Sequence, residues 1–463
     1  MLRKVPLIVI LGSTGTGKTK LSIELAKKFG GEIISADSMQ VYANLDIVTA
    51  KATKEEQSSV KHHLLDVVKP GGDPYTVFSF RNDSLPIIED LLGKTKPPIV
   101  VGGTNYYIES LLWDMLVPNF EKSNSDSEED TNSNCEEIKK LSNDEMESMS
   151  SEILHDHLKI VDPTSANRIH PRNRRKVIRA LEVFNQLDGK RNLSDIYKEQ
   201  RSQPGGCNLG GPLRYSHIVL FWLRCNKEVL SKRLDKRVDD MLKQGLLKEV
   251  RDFYNANIKD AKSSQYTKGI LQSIGFKEFV PYLESFDSNQ DKVIESYLKE
   301  NSYEIIDRKD NPEGLNVLKG CLDQLKLVTN RYSRKQIKWI NNRLLASSSR
   351  EVPDIFELDS SDVSNWNENV HKKAVSILNS YINDKKIEFS PMSKIQHKGE
   401  GLNEEISNYC KVCERLFIGE FQWQIHLKSN KHKKRKEGLK RKKNELSEEH
   451  IRKKNSRETL ETQ

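Results

Sequence analysis

LIVILGSTGTGKT, residues 7–19, decides the fold. Its opening apolar run, Leu7 to Leu11, has the length and β-branched content of a buried strand. GSTGTGKT (12–19) then fits the pattern G-x-x-x-x-G-K-[ST] without a gap. An amphipathic run follows, with Leu21, Leu25 and Phe29 on one helical face. Strand, glycine loop and helix together predict a phosphate-binding loop made of Gly12, Ser13, Thr14, Gly15, Thr16, Gly17, Lys18 and Thr19. The glycines let successive N–H groups turn toward one anion, and the helix N-terminus adds partial positive charge. Lys18 supplies a full charge and Thr19 a hydroxyl for Mg²⁺. The ligand is phosphorylated; the loop alone does not name it.

Residues 32–35 (EIIS) read as the next strand and lead into DSMQVY, 37–42. A carboxylate at the carboxyl end of a strand beside a phosphate loop stands where open α/β sheets bind ligands. Asp37 is open to three readings here: Mg²⁺ ligand, general base or helix cap.

Around that centre, residues 5–116 alternate strand and helix, which predicts a parallel sheet covered on both faces. A short segment is expected near Val67, a helix from Thr76, and a strand over 97–104 that sets Thr104 on the rim shared with Asp37. The first domain is bounded at 1–118. Residues 119–150 change character: seven acidic residues lie between Glu121 and Glu137 with little that is apolar, so a disordered insertion is expected. Residues 151–345 are mostly helical by periodicity and contain one strand, 217–223, the remainder of the core. Three of these helices are basic. In 169–181, Asn173 is the expected cap and Arg174, Arg175 and Arg179 face outward; 226–243 carries Arg237; 331–345 carries Arg334 and Lys335. Three basic faces behind a phosphate loop favour a polyanion partner. Residues 346–405 read as a polar linker with a helix from Val370 to Ile387.

The module at 406–436 is sharper. Cys410-x₂-Cys413-x₁₂-His426-x₅-His432 is the ligand spacing of a zinc finger, with Phe417 and Leu427 as its expected core. A segment this small folds by binding metal. From Lys431 onward there are 13 basic and 6 acidic residues, so nearly all of the net charge of +8 sits at this end, including the basic tail 437–463. Such a tail suits a phosphate backbone or nuclear import. The six cysteines form no disulfide framework and fit a reducing compartment. No apolar run is long enough for a membrane span, and the first strand leaves no room for a transit peptide, so a cytoplasmic protein with a possible nuclear share is expected.

Taken together these motifs resemble the tRNA dimethylallyltransferases in their eukaryotic form with a carboxyl-terminal finger. The carriers are GSTGTGKT (12–19), SADSMQVY (35–42), VVGGTNYY (100–107), IHPRNRRKVIRALE (169–182), LDKRVDDML (234–242), SIGFKEF (273–279) and RYSRKQIKWI (331–340). Ser13 stands where the family usually has Pro, and the acidic insertion is longer than typical. The resemblance implies a P-loop α/β core, an inserted or following helical tRNA-binding domain and a ββα zinc finger. It implies transfer of a dimethylallyl group from its pyrophosphate to the exocyclic amine of the adenosine 3′ of the anticodon, by a monomer. Lys18, the loop amides, Mg²⁺ at Thr19 and Arg237 would neutralise the leaving pyrophosphate, and Asp37 would be the general base. Thr104 would join the catalytic set, and with Asp37, Ser38, Met39 and Gln40 would meet the adenosine; Arg174, Arg175, Arg179, Lys277, Arg334, Lys335 and Gln336 would hold the anticodon arm. Zinc at Cys410, Cys413, His426 and His432 completes the cofactors. A relative acting on free adenine nucleotides and a non-catalytic RNA-binding protein are the alternatives; the basic helices and finger weigh against the first, Asp37 against the second.

Overall fold

A computed structural model describes residues 5–72, 74–114, 141–207, 210–258, 269–305, 308–309, 311–346, 350–395, 402–403 and 406–442. The chain divides into two compact units: 1–114 with 212–395, and 115–211 with 396–463.

The first unit is built on a six-stranded sheet, ordered β3-β2-β4-β1-β5-β6. The strands are β1 (Leu7–Gly12), β2 (Glu32–Ser35), β3 (His62–His63), β4 (Pro98–Val101), β5 (Ile218–Arg224) and β6 (Ile355–Asp359). All pair in parallel, and β1 lies between β4 and β5. Alternation along β1 explains its unbroken apolar run: Leu7, Val9 and Leu11 enter the core on one face, Ile8 and Ile10 the core on the other. Helix Lys18–Phe29 covers the second face, burying Leu21 and Leu25. Helices Val77–Gly93 and Asn105–Leu112 contribute to the first-face core. Thr76 caps Val77–Gly93 by accepting the Ser79 N–H.

A second core in this unit joins the loop after Asp37 to helices from Lys227 to Ile340. Buried Arg251 donates to both carboxylate oxygens of Asp291, which also accepts from the Tyr282 hydroxyl. Glu249 accepts the N–H groups of Asp46, Ile47 and Val48, each at 2.8 Å, and so ties that loop to the helices.

In the second unit, helices Ser151–Val161, Arg174–Gln186 and Leu193–Ser202 share a small core around Leu154, Leu158, Val177 and Leu181. The finger is a hairpin, β7 (Ser407–Cys410) with β8 (Arg415–Ile418), and a helix, Glu420–Lys428. Residues 430–442 are helical.

The structure corrects several expectations. Residues 346–405 are not a linker throughout: β6 is the sheet's sixth strand, and Phe356, Leu358, Trp366, Val370, Ala374 and Ile377 belong to a main core. The helix expected over Val370–Ile387 is a π-turn, Asn367–Lys372, continuing as Lys373–Ile382. The acidic insertion ends earlier than 150: Ser142 caps a helix, Asn143–Ser148, whose Met146 is buried, because Ser142 and Glu145 form a capping box. Its remainder, 119–140, lies outside the described residues, as does 443–463 of the tail. The short segment expected near Val67 is an isolated parallel bridge, Val68 with Tyr42, following β3 at His62–His63, and Val67 itself is exposed. The expected helix 331–345 is the end of one long helix, Leu315–Ile340, with a π-turn after it. Asn173 sits at the expected cap position but makes no side-chain cap.

Candidate active site

The loop between β1 and helix Lys18–Phe29 closes on itself. Gly12 has φ +156°, and a Cβ there would stand 2.8 Å from Thr16 Oγ1 and 3.0 Å from the Leu223 carbonyl. Gly17 takes φ +89° against the ring of Trp366, whose nearest carbon would lie 2.8 Å from an added Cβ. Both positions therefore require glycine. The Ser13 carbonyl accepts from Thr16 Oγ1 and from Lys18 Nζ, each at 2.9 Å. Lys18 is held pointing back over its own loop, as a lysine meant for phosphate must be.

Beside this loop is a cavity of about 400 Å³, lined among others by Lys18, Thr19, Asp37, Gln40, Arg237 and Gln336. The carboxyl ends of β1, β2 and β4 converge there, the rim where open parallel sheets bind ligands. Asp37 Oδ1 accepts the Met39 N–H at 3.0 Å. Burial pushes the Asp37 carboxyl above its ordinary range; the Met39 amide, Lys18, the Gln40 amide and Arg237 oppose the shift. Burial likewise pulls the Lys18 ammonium down to about 8, with Asp37 opposing and Arg237 adding to the fall. Burial lowers Arg237 too, against the pull of Asp37. One acid and two cations thus share a poorly solvated space, poised for an anion to enter.

Thr104 starts the helix after β4, and its Oγ1 accepts the Ser38 N–H at 3.0 Å. It orients the Asp37 segment from the neighbouring strand end. Arg237 donates to Thr14 Oγ1 at 3.2 Å, which brings the helix Lys227–Lys243 onto the loop. Gln40 is engaged with Ser35 Oγ and with the Thr49 and Ala50 carbonyls, so it braces the turn while lining the cavity.

The residues expected to hold RNA separate. In the first unit Lys277, Arg334 and Lys335 are exposed. Gln336 is not: it is 4% exposed, and its carboxamide bonds the Thr14 N–H and the Gly103 carbonyl. In the second unit Arg175 is exposed, and Arg179 is half-buried beside Glu182 at 3.2 Å. Arg174 does not face outward: its guanidinium donates to the carbonyls of Met146, Glu147 and Met149 and closes the end of helix Asn143–Ser148.

Two contributions escaped the sequence reading. Trp366 underlies the start of the phosphate-loop helix, with its Nε1 donating to Glu24 and Lys20 over its ring at 4.7 Å. Its spacing with Val370, Ala374 and Ile377 was the available signal. Buried Glu109 accepts from Trp339 Nε1 at 2.6 Å, Arg343 Nη2 at 3.0 Å and Arg350 Nη1 at 3.2 Å, which clamps the carboxyl end of the long helix to the helix after Thr104. A lone Glu in YYIESLL carries no such signal.

In the finger, one donor atom from each of Cys410, Cys413, His426 and His432 lies within 4.8 Å of the others. Both sulfurs stand 3.6 Å from His432 Nδ1. His426 Nε2 is buried without a protein partner among the described residues, as a ligand atom awaiting a metal would be. Two thiolates and two imidazoles at such separations fit a tetrahedral ion of zinc's preferences. The expected core of Phe417 and Leu427 is corrected: Leu427 is 40% exposed, and Phe417 packs instead on His426 and Trp423.

A family model described as IPP transferase matches residues 40–343, and one described as isopentenyl transferase matches residues 5–69. A zinc-finger double-stranded RNA-binding model matches 407–433. The tRNA dimethylallyltransferase of Homo sapiens is 41% identical over 434 residues, covering 93% of this chain and 85% of that protein. That of Schizosaccharomyces pombe is 34% identical over 97% of this chain and 98% of its own length. A solved structure of a eukaryotic dimethylallyltransferase acting on tRNA aligns with TM-score 0.71 and 30% identity, over 97% of this chain and all of that one.

Proposed function

The chain belongs to the IPP transferase family, the tRNA dimethylallyltransferases, and from that premise we propose how its own residues carry out the transfer of a dimethylallyl group onto tRNA near the anticodon. The observation that carries the reading is the meeting of Asp37, Lys18 and Arg237 on one cavity beside the phosphate loop. Dimethylallyl pyrophosphate fits it: the pyrophosphate on the loop, Lys18 and Arg237, and the allylic carbon toward Asp37. The acceptor is the exocyclic amine of the adenosine 3′ of the anticodon, turned out of its stack to reach the cavity.

In the displacement, the amine nitrogen bonds to the allylic C1 while the C1–O bond breaks. The electron pair leaves with pyrophosphate, where Lys18, the loop amides and Arg237 stabilise it. The amine proton passes to the Asp37 carboxylate. A carboxylate raised by burial is a better base than an exposed one, and the charges of Lys18 and Arg237 favour its ionised form. Thr104 holds the Ser38 amide and with it the turn that presents Asp37. Mg²⁺ suits the donor chemistry: the Thr19 hydroxyl on the cavity wall would hold it, and it would neutralise charge on the leaving group.

Zn²⁺ at the finger would fold it, and the exposed cations of the two units, Lys277, Arg334 and Lys335 in one and Arg175 in the other, suit tRNA phosphates. The basic tail favours a nuclear share of the protein, tested by imaging the chain with and without residues 437–463. The reaction itself is tested with labelled dimethylallyl pyrophosphate, bulk tRNA and AMP. Label in tRNA at the position 3′ of the anticodon is the expected result; label in AMP alone, or in neither, refutes the acceptor.

A further inference from the structure

In the transfer proposed above, donor and acceptor would be served by different loops. The loop after β1, which includes Thr14, lines the cavity where the proposed reaction places pyrophosphate; the loop after β4, Gly102–Thr104, supports the Asp37 segment through Thr104. Displacement at carbon needs the nitrogen, the carbon and the leaving oxygen in line, so the two loops must keep register. A misplacement of ~1 Å costs on the order of 10²-fold in rate.

We propose that Gln336 is the positioning residue that sets this register. Its Oε1 accepts the Thr14 N–H at 2.9 Å and its Nε2 donates to the Gly103 carbonyl at 3.0 Å. Among the described residues it is the side chain hydrogen-bonded to both loops. The carboxamide is the chemistry the task requires, since one planar group offers an acceptor on one side and a donor on the other. Glu would lose the donor; Met would lose both. The surroundings are shaped to it. A Cβ on Gly103 would stand 2.4 Å from Gln336 Nε2, so the second glycine of GGT leaves the room the amide occupies. Tyr332, one turn earlier on the same helix, also donates to the Gly103 carbonyl, at 3.4 Å. Asn105 Nδ2 donates to the backbone carbonyl of Gln336 at 3.3 Å. Beyond it, Glu109 fixes the helix through Trp339 and Arg343. The helix that bears the exposed Arg334 and Lys335 is thus anchored through its next residue into the reaction centre, and RNA seated on that face would bear on the same register.

The inference rests on the dimethylallyl transfer proposed above. It is tested by Gln336→Met and Gln336→Glu in the full-length protein. The measurements are single-turnover transfer at saturating substrates, the Kd of each substrate, and the melting temperature. A register role predicts transfer slowed by ~30-fold or more, with both dissociation constants within about threefold and a folded protein at the assay temperature. Gly103→Ala, which forces the amide away without removing it, should slow transfer comparably. The double variant Gly103→Ala with Gln336→Ala should be no slower than Gln336→Ala alone, because a clamp is lost once. Gln336→Glu and Gly103→Ala carry the comparison should Gln336→Met not fold. Unchanged single-turnover transfer, a defect confined to the Kd of tRNA, or additive losses in the double variant would overturn the proposal. Wild-type transfer, measured alongside, keeps failure of the underlying reaction distinct from failure of the clamp.

Discussion

Raising the pH above 8 should loosen dimethylallyl pyrophosphate through one lysine. Burial brings the Lys18 ammonium down to about 8, with Asp37 holding it up and Arg237 pushing it further down. In the free protein Lys18 is then ~90% charged at pH 7 and ~10% charged at pH 9. Pyrophosphate favours the charged form, so binding above pH 8 must take up a proton. The sign follows: affinity is full well below the free-state pKa and falls as pH rises through it, by ~tenfold between pH 7 and 9. Proton uptake on binding should climb from ~0.1 at pH 7 to ~0.9 at pH 9. Calorimetric titration in two buffers of different ionisation heat measures both quantities. The same titrations with Lys18→Ala subtract any proton the ligand itself exchanges, and that variant should bind weaker at pH 7 by on the order of 2–5 kcal/mol. An affinity flat from pH 7 to 9.5, or no lysine-dependent proton uptake at pH 9, would refute the reasoning.

Asp37→Asn should slow single-turnover transfer by ~10²–10⁴, the range for a lost general base, and leave both substrates bound; transfer at the wild-type rate would mean that another group takes the proton. Trp366→Ala should lower stability by about 3–5 kcal/mol in chemical denaturation, since the indole fills a main core and underlies Gly17; a loss below ~1 kcal/mol would show the site collapsing freely. Cys413→Ser should cut bound zinc from one equivalent to none and raise the KM for tRNA while kcat at saturation holds, the mark of binding energy common to ground and transition states; a fall in kcat would give the finger a part in assembling the site.

Local chemistry determined what could be read in advance. The phosphate loop was legible because the loop's function demands glycines, a lysine and a hydroxyl at fixed spacing within eight residues, GSTGTGKT. β1, β4 and β5 were legible because a strand buried on both faces must be apolar throughout. The finger was legible for the same reason as the loop, since its ligands can serve a metal only at such spacings. Gln336 was not. Its neighbours in RYSRKQIKWI are basic and exposed, and the reading extended their role to it. Helical geometry separates them: Tyr332 and Gln336, four residues apart, face the cavity, while Arg334 and Lys335 point away.

β6 marks a different limit. Ile355, Phe356 and Leu358 are buried, yet in VPDIFELDSSD they are brief apolar content between acidic and serine residues, too short to prefer strand over turn. What makes IFELD a strand is β5, whose Leu220–Arg224 pairs with it from more than a hundred residues away. The same strand fixes where the chain goes next: Ser360 closes onto the Arg224 carbonyl, and the turn that follows brings Trp366, at the start of the π-turn, against Gly17. A segment read as a linker by composition therefore reaches the phosphate loop because its docking surface is assembled from distant parts of the sequence. Long-range pairing of this kind leaves its trace in apolar spacing, Trp366, Val370, Ala374 and Ile377 here, rather than in any motif.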